Sequence, residues 1–129
     1  MSSEIAVSVP ARPEYVPVLR SVVASVAARL DFPYDAIEDL RIAVDEACAQ
    51  LLAVGRAAAR TLRLRITPSP EGMDLVASTD ARAAWPPGAE RTLAWQVIAA
   101  LADRADFDTE DGGPALRMTK LIQPPRDEP

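Results

Sequence analysis

The feature that most constrains this fold is a repeated change of hydrophobic period along the chain. Short segments in which apolar and polar residues alternate predict half-buried strands, and apolar residues spaced three and four apart predict helices. Five segments predict strands: residues 4–9, 61–66, 73–79, 105–109 and 115–122. The last four strands are joined in pairs by short turns that contain glycine, so they form two hairpins.

Three segments between the strands predict helices, over about residues 15–30, 35–55 and 89–103. Asp35 and Glu38 have the spacing of a capping box, which places the start of the second helix at Asp35. The core-facing stripe of the third helix is predicted to consist of Leu93, Val97, Ile98 and Leu101.

The predicted element order is β-α-α-β-β-α-β-β. Strand hairpins separated by helices predict the α+β class, as a two-layer α/β sandwich with a mixed sheet and its helices on one face. The 129 residues have room for one domain. We expect that domain to cover residues 1–122, and residues 123–129 to form a disordered polar tail.

Composition excludes several classes of function. The chain has no histidine, so hydrolytic triads and zinc sites are not expected. Its net charge of −5 argues against direct binding of nucleic acid. No apolar run is long enough for a membrane span, and no signal peptide is recognisable. The single cysteine, Cys48, suits a reducing compartment, which predicts a cytoplasmic protein.

The second helix carries the first candidate site residues. Glu46 and Gln50 are four residues apart, so their side chains share one helical face. A carboxylate and an amide on one face are groups that a nucleotide–Mg²⁺ site can use, although an exposed glutamate is more often a solvated charge. Cys48 lies on the apolar stripe and is predicted to be a core residue. Trp85 is predicted to cap the core, with a partner contact as the alternative.

The segment Leu40-Arg-Ile-Ala-Val-Asp-Glu-Ala-Cys48, together with the element order, resembles the serine-kinase anti-sigma factors of the GHKL superfamily. The resemblance runs from about residue 4 to residue 122 and implies the histidine-kinase-like ATPase fold. In that family the helix reads Glu-x-x-x-Asn. The resemblance gives Glu46 the role of a base or water-positioning group and places Gln50 where an asparagine binds Mg²⁺. It also places Asp80 where an aspartate contacts adenine.

The glycine motifs of that family are missing here. The Asp-x-Gly-x-Gly motif aligns with residues 80–84, where Arg82 and Ala84 replace the glycines. The Gly-x-Gly-Leu motif aligns with residues 90–93, where Glu90 and Thr92 replace them. Side chains at these positions oppose the close approach of backbone to a nucleotide. We therefore expect vestigial nucleotide motifs and no cofactor, or ATP and Mg²⁺ with Gln50 as a metal ligand if the site is active.

The resemblance implies an anti-sigma factor that sequesters an alternative sigma factor and is countered by an anti-anti-sigma partner, acting as a homodimer. The first alternative is an active ATP-dependent serine kinase that phosphorylates this partner. The second is a degenerate GHKL regulatory module with another protein target. Arg20, on the first helix, is predicted to contact a partner. If it does, Arg20→Glu is expected to weaken partner binding and to leave the melting temperature nearly unchanged, whereas a large drop would mark Arg20 as structural.

Overall fold

The computed structural model describes residues 3–123, so all of the predicted tail except Gln123 lies outside the described residues. Five strands are present: β1 (Ile5–Pro10), β2 (Thr61–Pro68), β3 (Gly72–Thr79), β4 (Arg104–Glu110) and β5 (Gly113–Leu121). Three α-helices are present: α1 (Val16–Arg29), α2 (Tyr34–Gly55) and α3 (Leu93–Leu101). Short 3₁₀ turns cover Pro13–Tyr15, Arg56–Ala58 and Ala89–Arg91. The predicted element order is confirmed.

The five strands form one sheet in the order β1-β2-β3-β5-β4. Every neighbouring pair is antiparallel, so the prediction of a mixed sheet was wrong. The chain reverses at each junction from β1 through α1 and α2 to β2, and β2 therefore runs opposite to β1. The single helix α3 joins β3 to β4, which run in the same direction. These two strands are not neighbours, because β5 lies between them.

The helices pack on one face of the sheet, with α2 in contact with both α1 and α3. The α+β class and the two-layer arrangement are confirmed. The core is built from the helical stripes and from the alternate strand residues that face them. On α2 the buried residues are Leu40, Ala43, Val44, Ala47, Cys48, Leu51 and Gly55. None of the helices in residues 3–123 combines the length and apolar character that a membrane crossing requires.

Two details of the predicted helices were wrong. Pro33 occupies the N-cap of α2 and no side chain caps that end, so Asp35 and Glu38 do not form a capping box there. Asp35 lies in the first turn, where its charge favours the helix dipole. Leu93 is 76% exposed because it is the first residue of α3, and Trp95 turns toward the sheet instead to stack on Phe107.

The opposite face of the sheet is covered by charged side chains that pair across strands. Arg65 forms ion pairs with Glu4 and Glu110. Arg117 pairs with Asp108 and Glu110. Beneath these side chains Val76 is only 8% exposed although it points away from the helices.

The β4–β5 hairpin turns at Asp111 and Gly112, whose φ angles of 51° and 82° are those of a type I′ turn. At the next residue a Cβ on Gly113 would lie 2.5 Å from the carbonyl oxygen of Thr79 and 2.7 Å from that of Ala81. Only glycine permits this approach. The start of β5 is thereby held against the chain that leaves β3.

Candidate functional site

The two candidate site residues of α2, Glu46 and Gln50, are both half-buried. Among residues 3–123 the carboxylate of Glu46 forms no ion pair or hydrogen bond. The amide nitrogen Nε2 of Gln50 is buried without an acceptor in that part of the chain. A buried donor without a partner is costly, so this amide is available to a ligand rather than tied into the fold.

Gln50 lines a cavity of about 230 Å³ between the end of α2 and the segment that leads into α3. This volume lies below the range of about 300–1,000 Å³ typical of ligand pockets. Apart from Gln50, the lining residues are apolar or carry a hydroxyl: Ala53, Val54, Trp85, Pro86, Ala89, Thr92 and Ala94. A triphosphate placed here would meet no lysine or arginine among these residues, and charge neutralisation is a large part of what phosphate binding needs.

Trp85 fixes one wall of this cavity. Its indole N–H lies 3.0 Å from the carbonyl oxygen of Asp108 and 3.1 Å from that of Ala115, and donates to both. Its ring packs on Phe107 with centroids 4.7 Å apart. The prediction that Trp85 caps the core is confirmed, since it packs against the core cluster. The loop between β3 and α3 is therefore anchored to the β4–β5 hairpin.

Residues 90–93, which align with the second glycine motif, form the N-terminus of α3 and the turn before it. Thr92 is the N-cap of α3, and its hydroxyl accepts a hydrogen bond from the backbone N–H of Trp95 at 3.1 Å. The same hydroxyl donates to the carbonyl oxygen of Ala89 at 3.0 Å. Glu90 is exposed on the preceding 3₁₀ turn. The side chain of Thr92 thus provides a hydrogen-bond acceptor for a backbone N–H group at the N-terminus of α3.

Asp80 does not line the cavity beside Gln50. Its Oδ1 atom accepts hydrogen bonds from the backbone N–H groups of Arg60 at 2.9 Å and Thr61 at 3.1 Å. The cavity that Asp80 lines is shared with Ser8 and Arg63 on the open face of the sheet. Slight burial opposes its ionisation, but these two N–H groups together hold the pKa of Asp80 below its ordinary value. In this structure Asp80 joins the end of β3 to the start of β2.

Lys120, which is the only lysine in the chain, lies away from this cavity. Its ammonium Nζ donates to the carbonyl oxygen of Leu101 at 2.7 Å and pairs with Asp39 at 3.2 Å. Asp39 precedes Gln50 by three turns of α2. The lysine thus joins β5 to the two helices at the far end of α2.

Arg20 is not a free surface arginine. Its Nη1 donates to Oδ2 of Asp45 on α2 at 2.8 Å, and both side chains are about one-third exposed. The other carboxylate oxygen of Asp45 is buried without a partner in the described part of the chain. A glutamate at position 20 would place two carboxylates together here. Because of this pair, we expect Arg20→Glu to lower the melting temperature whether or not Arg20 also contacts a partner.

Cys48 is buried on the core face of α2, as predicted. Burial, with a smaller contribution from the charge of Asp45, raises the pKa of its thiol to about 12. The thiol is therefore protonated at neutral pH and does not act as a nucleophile. Within residues 3–123, no three acidic or cysteine side chains come together as a metal-binding group.

With this geometry in place, comparison with known proteins identifies the family. Residues 9–120 match the family model described as the histidine kinase-like ATPase domain, and the chain belongs to that family. It is 54% identical over 44 residues to the serine-protein kinase RsbW of Bacillus subtilis (strain 168), and 45% identical over 49 residues to that of Bacillus thuringiensis (strain Al Hakam). These segments cover 34% and 38% of this chain but only 28% and 31% of the two kinases.

A solved structure of the RsbU and RsbW domains of Rv1364c from Mycobacterium tuberculosis has the same fold. The superposition has a TM-score of 0.68 and covers 92% of this chain and 32% of that one. The sequence identity is 17%, so this similarity bears on the fold alone. The expected resemblance to the anti-sigma factor and serine kinase group of the GHKL superfamily is confirmed.

Two features of the site had only a weak sequence signal. The Trp-Pro-Pro-Gly sequence at residues 85–88 marked an unusual loop, but the two carbonyl acceptors of Trp85 come from residues more than twenty positions later. The partner of Arg20 likewise lies 25 residues away. Hydrophobic periodicity assigns a residue to one face of its own helix or strand. It does not identify the residues that it contacts on another element.

Proposed function

We propose that this chain is a cytoplasmic anti-sigma factor that binds and sequesters an alternative sigma factor, is released by an anti-anti-sigma partner and acts as a homodimer. The proposal includes nucleotide binding that is weak or lost. Membership of the histidine kinase-like ATPase family and the similarity to RsbW kinases support a regulatory module. Sigma binding follows from the resemblance to anti-sigma factors.

The observation that favours binding over catalysis is the small cavity beside Gln50. Phosphoryl transfer depends on positioning the phosphates and neutralising their charge. The residues around this cavity carry no cation, and Asp80 lines another cavity on the open face of the sheet. Arg20 and the face of α1 around it form the proposed partner surface, with Asp45 orienting the guanidinium.

The test begins with affinity capture of native lysate on the immobilised full chain, followed by mass spectrometry. We expect a sigma factor or an anti-anti-sigma protein among the captured proteins, and each is then titrated against the purified chain. Adding Mg–ATP should change the sigma affinity by less than tenfold, equivalent to about 1.4 kcal/mol. Recovery of neither protein would contradict anti-sigma action and favour a regulatory module with another target.

An active serine kinase is the second candidate, because Glu46 and Gln50 remain one turn apart and the similar Bacillus proteins are named serine-protein kinases. Calorimetric titration with Mg–ATP separates the two candidates. The binding proposal expects a Kd of about 1 mM or weaker. Micromolar binding that is lost in both Glu46→Ala and Gln50→Ala would support the kinase and contradict our proposal.

A further inference from the structure

The cavity beside Gln50 has the properties of a socket for a side chain. An engineered cavity of about 150 Å³ holds a benzene molecule, so 230 Å³ has room for an aromatic ring. Trp85 and Pro86 offer flat apolar walls, and Ala53 and Ala89 leave space between them. We name this cavity the Trp85 socket.

The polar groups of the Trp85 socket favour an uncharged occupant that can accept a hydrogen bond. The hydroxyl of Thr92 is already paired in both directions, with Trp95 and Ala89. The Nε2 donor of Gln50 has no acceptor within residues 3–123. Rotation about the last bond of this side chain is soft, so the donor can turn to meet a backbone carbonyl that enters with the ring.

An acidic side chain without an ion-pair partner in the described chain lies near the socket. Glu46 lies one turn before Gln50 on the same face of α2, and no cation pairs with it in the described chain. Asp39 and Asp45 on the same helix are each paired with a basic residue. The whole chain carries a net charge of −5, which steers cationic partners toward it.

The rim of the socket is apolar. Leu93 lies between the lining residues Thr92 and Ala94, and 76% of its surface is exposed. A large aliphatic side chain in this position contributes nothing to the core and adds contact area beside the opening. The rim therefore suits a peptide segment that extends beyond its anchoring ring.

From these observations we propose that the Trp85 socket receives an aromatic side chain carried on a basic segment of a protein partner. The ring enters between Trp85 and Ala53, a backbone carbonyl of the segment accepts from Gln50, and a neighbouring lysine or arginine pairs with Glu46. This surface lies between α2 and α3 and is separate from the Arg20 face of α1. The proposal therefore goes beyond the function proposed above and does not depend on which protein binds α1.

The test is an NMR titration of the ¹⁵N-labelled full chain with three capped tripeptides. The probe is acetyl-Arg-Phe-Arg-amide, and the matched controls are acetyl-Arg-Ala-Arg-amide and acetyl-Glu-Phe-Glu-amide. We expect saturable shifts at the indole N–H of Trp85 and at the backbone N–H groups of Ala53 and Ala89, with a Kd of about 1 mM. Each control peptide should bind at least tenfold more weakly.

Two variants locate the binding. Ala53 is exposed at the socket, so Ala53→Phe fills the cavity without entering the core and should weaken the probe at least tenfold. Ala100→Phe, on the exposed side of α3 and outside the socket, is the matched control and should bind normally. Glu46→Gln should weaken the probe about threefold to tenfold. Circular dichroism of each variant confirms that the fold is retained.

Three results would overturn the proposal: no saturable shift at about ten times the expected Kd, equal binding of the acidic peptide, or saturation of the same resonances by micromolar Mg–ATP. The last result would mark the cavity as a nucleotide site. A chain that binds its sigma factor and fails this titration would disprove the socket alone. If the chain binds the peptide but captures no sigma factor, the socket proposal is supported and the proposed function is contradicted.

Discussion

At Asp80 one carboxylate oxygen receives the backbone N–H groups of Arg60 and Thr61, and this is a structural clamp between two strands. Its pKa is lowered in the folded state, so the clamp contributes stability at pH values above the unfolded pKa of about 3.9. That contribution is lost as the pH falls through the lower, folded value. Asp80 therefore makes the stability of the β2–β3 pairing depend on pH in the acidic range.

We predict that Asp80→Asn makes the free energy of unfolding less dependent on pH in the acidic range. The amide keeps an acceptor for both N–H groups but does not titrate, so the free energy of unfolding should fall less between about pH 5 and pH 2. Urea unfolding at several pH values measures this. Asp106→Asn is the control, because Asp106 is exposed and makes no hydrogen bond in the described chain. Parallel profiles for wild type and Asp80→Asn would contradict the prediction.

Arg20 has two possible roles, as a structural partner of Asp45 and as a partner-binding group, and a charge swap separates them. We predict that Arg20→Asp and Asp45→Arg each lower the free energy of unfolding. The double variant should recover about 0.5–1 kcal/mol, because the ion pair is restored in reverse. Chemical denaturation measures the coupling.

Binding of the sigma factor or its antagonist should follow a different pattern in the same variants. If Arg20 contacts a partner, the double variant stays defective in binding although its stability recovers, since the surface charge at position 20 is inverted. Full recovery of binding would assign Arg20 a purely structural role.

At the scale of elements, the loop between β3 and α3 is the part of the fold that shapes the site. Trp85 secures it to β4 and β5, and Thr92 starts α3 at a position where the family that the chain resembles has a glycine. Gly88, at a φ of 83°, provides the left-handed residue that the turn requires. The Trp85 socket exists because these contacts hold the loop at a fixed distance from α2.

We predict that Trp85→Phe costs more stability than Trp95→Phe. Both rings contact Phe107, but only the Trp85 indole donates hydrogen bonds within the described residues. The loss for Trp85→Phe should therefore exceed that for Trp95→Phe by about 1 kcal/mol, since two partly buried carbonyl oxygens lose a donor. Urea unfolding compares the variants, and hydrogen exchange should show faster opening of residues 80–92 in Trp85→Phe alone. Equal losses would show that the ring contacts dominate.

At the scale of the whole molecule, the two sides of the domain differ in character. The helical side carries the Arg20–Asp45 pair and the Trp85 socket, while the open side of the sheet is covered by Arg65, Arg117 and their acidic partners. Asp108 has a pKa below its ordinary value, first because Arg117 donates to it and then because of the N–H of Thr109. Arg65 and Arg117 are thus each held by acidic side chains of the same face.

We predict that the protein is a dimer through this open face. Sedimentation equilibrium should give the mass of two chains, and Val76→Glu, at the centre of the face, should shift it toward one. Val18→Glu, on the exposed side of α1, is the control and should remain dimeric. A monomer at all concentrations would contradict the homodimer. A Val76→Glu variant that stays dimeric would place the interface elsewhere.

The sequence by itself determined the kind and order of the elements and the core position of Cys48, because hydrophobic period is a local property of each segment. The motif at residues 40–48 indicated the family. Only the tertiary structure decided what those elements contact. It made the sheet antiparallel by inserting β5 between β3 and β4, turned Asp80 toward β2, paired Arg20 with Asp45 and placed Trp85 at one wall of the cavity. Each of these contacts joins residues or strands far apart in the chain, and their geometry depends on packing of the complete fold.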